Sequence, residues 1–138
     1  MLSHHAALVY VMVMISAADG DMTDAELGTI GEIVNFLPVF HDYDPDMLPQ
    51  TAGACADMMD ADDGLERTLS VIRASLPPRL RETAYALACD VAASDGEAHQ
   101  EVIRLLELIR HRLDIDRLTA AAIERGARAR FVRPETET

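Results

Sequence analysis

Two short stretches of the chain concentrate carboxylates. Residues 19–26 read DGDMTDAE and carry Asp19, Asp21, Asp24 and Glu26. Residues 95–101 read DGEAHQE and carry Asp95, Glu97, His99 and Glu101. Glycine directly after aspartate lets the backbone take a positive φ and fold back sharply. A tight bend then draws several carboxylates close together, and like charges at that range repel unless a cation separates them. A hard divalent ion such as Ca²⁺ takes roughly 6–8 oxygen ligands and would relieve the repulsion. His99 adds a nitrogen, which turns the second stretch toward Mn²⁺ or Zn²⁺. The competing reading is structural: Asp and Thr cap helices, and acids in a first helical turn meet the positive end of the helix dipole. Neither stretch fits an EF-hand, which needs Gly at loop position 6 and a bidentate Glu at 12. The run Asp60 to Gly64 fails that template too and reads as a capped junction between helices.

Other chemistries find little support. Cys55 and Cys89 form no CxxC pair, so a thiolate metal site or redox motif is not expected. No Gly-rich phosphate loop and no Ser/His/Asp or Cys/His motif is present. His4-His5 near the chain start is expected to face solvent, and His111 sits in an Arg-rich helix end. Met12, Met14, Met58 and Met59 read as core filler. Arg125, Arg128 and Arg130 with Phe131 read as a solvated helix end rather than a docking strip. A two-metal hydrolase would need both DG turns to face one cleft, with ions about 4 Å apart. Three readings stay open on the residues: a protein that binds divalent cations at one or two of these turns without an organic cofactor, an interaction scaffold whose acids only cap helices and form a docking surface, and the hydrolase.

The elements that must position these groups are all helices, because no stretch alternates apolar and polar residues with the period of a surface strand. The first is expected over residues 3–18 and ends at Asp19-Gly20. The second opens at Thr23, with Glu26 three residues on in a capping box, and carries the stripe Leu27, Ile30, Ile33, Val34, Leu37 before Pro38. Asp44-Pro45 opens a helix over 45–60, followed by helices over 64–76 and, from Pro77-Pro78, 78–94. Two more are expected over 98–113 and 116–130, the last capped by Asp114 or Asp116, with a frayed polar tail at 133–138 after a single domain over 1–132.

A shift of 76 residues superposes two helix–DG–helix hairpins without a gap. Asp19-Gly20 falls on Asp95-Gly96, and Ile15, Leu27, Ile30, Ile33 and Leu37 fall on Val91, Ile103, Leu106, Ile109 and Leu113. The fold expected is an all-α bundle of about seven helices with an internal pseudo-twofold repeat, each hairpin burying its stripe against the other.

Composition agrees. The 138 residues are 49% hydrophobic but only 4% aromatic, so the core must be aliphatic, and 7 Gly and 6 Pro are too few for a turn-rich sandwich. Net charge is −12 and sharply divided. Residues 1–66 carry 13 acids and no Lys or Arg; residues 67–138 carry 11 acids and all 12 basic residues, every one Arg. That balance disfavours nucleic acid as a partner. It suits cations, a basic surface, or a second copy forming a homodimer. The apolar run Ala6 to Ile15 is too short to span a bilayer, which takes about 20 residues, and no cation precedes it as in a signal peptide. With two unpaired thiols, a cytoplasmic setting is expected.

At the residues of the two bends the chain resembles the TerB-like family of tellurite resistance and stress response. The resemblance rests on an alanine-rich helix entering a DG turn and an acidic helix start, twice: Ser16-Ala17-Ala18-Asp19-Gly20-Asp21 through Glu26, and Ala92-Ala93-Ser94-Asp95-Gly96-Glu97 through Glu101. It implies an all-α bundle of about seven helices and divalent-cation binding at the bends. The ligands it implies are Asp19, Asp21 and Glu26 in the first, and Asp95, Glu97 and Glu101 in the second, with Asp24 and His99 as additions. It also implies a sensing or scaffolding role beside other stress-response proteins. One departure stands out. Val102 occupies the place of the second Glu, and Glu101 lies one position earlier, about 100° round the helix.

Overall fold

In the computed structural model, residues 1–18, 20, 22–94, 96 and 99–136 are described. Among them are seven α-helices and no strand: α1 (His4–Ala17), α2 (Asp24–Phe36), α3 (Leu48–Asp60), α4 (Gly64–Ser75), α5 (Arg81–Ser94), α6 (Gln100–Arg112) and α7 (Arg117–Arg130). Local sequence accounts for most of the ends. Ser3 Oγ accepts the Ala6 amide at 3.1 Å and caps α1. Asp116 accepts the Thr119 amide and caps α7. Asp114 is no cap; it takes φ +56 in the bend before α7 and pairs with Arg73 at 2.7 Å. The two proline starts wind first as short 3-10 turns, Pro45–Met47 and Pro78–Leu80, before α3 and α5. A proline ring fixes φ for such a start and gives up only an amide that had no helical partner.

The apolar run of the first helix becomes the centre of the bundle. Every residue from Ala7 to Ser16 is buried. A helix apolar all round must be enclosed on all sides, and α1 packs against α5, α3, α4 and α6. Among the described residues, no helix is long and apolar enough to cross a membrane. The second inner helix is α5, on which α1, α2, α6 and α7 all rest. The core is aliphatic, with Tyr10, Phe40 and Tyr85 as its buried aromatics. Surface pairs fasten the periphery: Arg112 with Glu66 and Arg73 with Asp114 tie α4 to the end of α6, and Arg130 with Asp90 ties α7 to α5. Such exposed pairs contribute at most about 1 kcal/mol each.

Three stripe residues are not inward. Leu27 is 51% exposed, Leu37 36% and Ile103 46%, while Ile30, Ile33, Val34 and Ile109 are buried. Periodicity fixes which residues share a face, but not how far the neighbouring helix covers it. α2 packs chiefly on α5, and only the middle of its stripe is sealed. The Asp62–Gly64 junction also differs from a side-chain cap. Asp63 stands at the cap position with φ +55 and makes no capping hydrogen bond, and Gly64 instead presses against the end of α3. The tail is folded as far as the 3-10 turn Pro134–Thr136.

Candidate functional site at the two DG bends

The first bend is built as its residue types require. Gly20 takes φ +97, a conformation that strains any L side chain. Beyond it Thr23 and Glu26 form the reciprocal capping box: the Glu26 amide donates to Thr23 Oγ1 at 3.1 Å, and the Thr23 amide donates to Glu26 Oε1 at 2.9 Å. Thr23 Oγ1 also donates to that same carboxylate oxygen at 3.2 Å. Glu26 is only 2% exposed. Its Oε1 is therefore committed to the start of α2. Asp24, in the same helical turn, is exposed.

The Glu26 commitment gives a prediction. Glu26→Ala should lower stability by about 1–2 kcal/mol through loss of the cap. The loss should be the same in chelator and in excess Mn²⁺, as thermal melts in the two buffers would show. A penalty that appears only with the ion present would make Glu26 a ligand instead.

The second bend shares the positive-φ glycine and differs in the described side chains around it. Gly96 has φ +82. Ser94 Oγ donates to the Val91 carbonyl at 2.7 Å. His99 stands at the cap position of α6 with no side-chain capping bond, and Glu101 is exposed in the first turn. Arg133 folds back over this bend. Its Nη2 donates to the Ser94 carbonyl at 3.5 Å, and its Cζ lies 3.7 Å from where a Cβ on Gly96 would stand. The sequence offered no signal for this beyond one more arginine in a polar tail.

Asp19, Asp21, Asp95 and Glu97 lie outside the described residues. Among the described residues, no three His, Cys, Asp or Glu side chains group so as to hold a metal ion. Asp24, Glu26, His99 and Glu101 thus make no ion site among themselves. Described residues on either side of the two bends share a cleft. Ala17 and Ala18, just before the first DG, and Gln100 and Glu101, just after the second, line one cleft of about 510 Å³ together with Met59 and Leu65.

His5 and the two cysteines are built into the fold. His5 is not solvent-facing: its side chain is 12% exposed, with Nε2 3.0 Å from the Val39 carbonyl and 3.1 Å from Asp42 Oδ1. It holds the loop after α2 between the rings of Phe40 and Tyr43. Burial, then the charge of His5, lowers the His4 pKa. Both cysteines are free and buried, and burial pushes each thiol up to about 12. Neither offers a thiolate at neutral pH.

The family model described as tellurite resistance protein TerB matches residues 5–125, most of the chain. The chain belongs to the TerB family. Comparisons with curated proteins and with solved structures gave no match. The TerB match runs from within α1 into α7 and takes in both DG bends. Arg133 lies beyond it.

Proposed function

We propose that this TerB-family chain is a non-enzymatic module that takes up a divalent cation at the acidic end of its bundle and serves stress-response assembly in the cytoplasm, in the setting of tellurite resistance. The observation that carries the cation reading is the shared cleft: Ala17 and Ala18, before the first DG dipeptide, and Gln100 and Glu101, after the second, line one hollow together with Arg104. The ligand set is Asp19, Asp21, Asp95 and Glu97, with Asp24, Glu101 and His99 as exposed or half-exposed neighbours. Glu26 is set apart from these because its Oε1 already accepts from Thr23. Oxygen-rich ligands suit Ca²⁺, and His99 would favour Mn²⁺ or Zn²⁺. The protonated state of both buried thiols fits a protein without nucleophilic catalysis.

Calorimetric titration of the ion-stripped protein with Ca²⁺, Mn²⁺ and Zn²⁺ tests the proposal. At least one ion should bind and raise the melting temperature. Asp19→Asn with Asp21→Asn should weaken its binding at least tenfold, with the unliganded melt changed little. Absence of both heat and thermal shift with all three ions would leave the acids as caps and a docking surface.

A further inference from the structure

We infer that Arg133 is a tethered counter-ion of the second DG bend, its guanidinium competing with a divalent cation for the acids there. This competition presupposes the cation uptake proposed above and regulates it. The two bends share their turn: the Gly20 amide donates to the Ala17 carbonyl and the Gly96 amide to the Ala93 carbonyl, each at 3.1 Å. Both glycines take a positive φ. Their surroundings differ. A Cβ on Gly20 would meet no described atom within 4 Å. A Cβ on Gly96 would meet the Arg133 guanidinium, with Cζ and Nη2 at 3.7 Å and Nη1 at 3.9 Å. Three atoms at so nearly one distance place the group face-on against the glycine.

Local chemistry holds it there. Ser94 is the last residue of α5, and the carbonyls of a helix end attract a cation. Arg133 Nη2 donates to the Ser94 carbonyl at 3.5 Å. Arg130 pairs with Asp90 and fastens the end of α7 to α5, and the 3-10 turn Pro134–Thr136 follows Arg133 directly. The guanidinium is thus delivered from chain that is folded on both sides. The neighbours of Gly96 in the chain are Asp95 and Glu97. A positive charge fixed at this point supplies part of the neutralisation that a bound ion would bring, and it repels a divalent ion. The side chains of the second segment point the same way. Residues 19–26 hold four acids, whereas the equivalent residues 95–102 hold three, with Val102 in the place of Glu26. With one carboxylate fewer and one arginine more, the second bend needs an ion less than the first. Arg133 lies beyond residues 5–125, so the counter-ion comes from outside the segment that the TerB model matches.

Calorimetric titration of the ion-stripped full chain with Ca²⁺, Mn²⁺ and Zn²⁺ tests this, in about 0.1 M salt, where exposed charges more than about 10 Å apart are screened. Arg133→Gln should tighten uptake about tenfold, in the weaker step where the isotherm has two, as expected of one unit charge beside a divalent ion across water. Arg125→Gln removes the same charge from an exposed position more than two turns earlier on α7, and its affinity should stay within about twofold of the parent. Arg133→Lys keeps the charge and should also bind as the parent does. Thermal melts separate a counter-ion from a mere fastening of the tail. Without ions Arg133→Gln should melt a few degrees below the parent, and in saturating ion that deficit should vanish. Equal affinity in the parent and Arg133→Gln overturns the inference and leaves the cation reading standing. So does equal tightening in both glutamine variants, which is an effect of net charge, or a melting deficit undiminished by ion, which makes Arg133 a clasp only. If none of the four chains takes up any ion, the cation reading fails and this inference falls with it.

Discussion

Gly64→Ala should destabilise the protein by about 3 kcal/mol, lowering the melting temperature by about 10 °C. Gly64 opens α4 where the chain turns out of α3. A Cβ there would stand 2.2 Å from the Met59 carbonyl oxygen, 2.6 Å from its carbon and 2.7 Å from the Met58 carbonyl oxygen. All three are backbone atoms of the last turn of α3, so no rotamer change relieves the clash. Relief requires α4 to move off α3, and the two helices are closely packed. Asp63 at φ +55 and the Gly64 amide bonded to the Ala61 carbonyl at 2.9 Å leave the junction little slack. Gly28→Ala is the control, since nothing lies within 4 Å of its added Cβ on the exposed side of α2. It should stabilise by about 0.5–1 kcal/mol through helix propensity and a stiffer unfolded chain. Denaturant titrations of the two variants should therefore move in opposite directions. A Gly64→Ala midpoint equal to that of the parent would mean that the junction yields freely.

The second large effect is expected in α1. Leu8→Ala should cost about 3–4 kcal/mol, whereas Val132→Ala should stay within about 0.5 kcal/mol of the parent in the same denaturant titration. Leu8 is 0% exposed on the helix that α3, α4, α5 and α6 all pack against. Deleting its terminal isopropyl group removes the transfer free energy of three carbons and leaves a void that four surrounding helices cannot easily fill. Val132 is 64% exposed beyond the end of α7, and its methyl groups stay largely in water in the folded protein. A small loss at Leu8 would mean that α1 is loosely held, contrary to its burial.

Much of this architecture is visible in local residue patterns. Ser3, Thr23 and Asp116 each cap the helix that their position and type announce, because a cap needs one side-chain oxygen and an amide three residues away. Gly20 and Gly96 take the positive φ that a DG bend requires. The apolar run of α1 reads as a buried helix, and the structure encloses it on every side. Other features were invisible for an equally physical reason. Leu27, Leu37 and Ile103 have the period of core residues, yet whether a face is covered depends on where a helix distant in sequence ends. Glu26 reads equally well as ligand and as cap until its hydrogen bonds to Thr23 are seen.

The residues alone determined seven helices, the order in which they follow, an aliphatic core, and two acidic stretches with a charge divide between the halves. These follow from interactions over three or four residues and from composition, which chain order states directly. Only the tertiary structure decided that the segments flanking both bends line one cleft and that Arg133 returns to the second. Those outcomes turn on contacts between groups some tens of residues apart, which depend on how whole helices cross and where they end, and no local pattern carries that information.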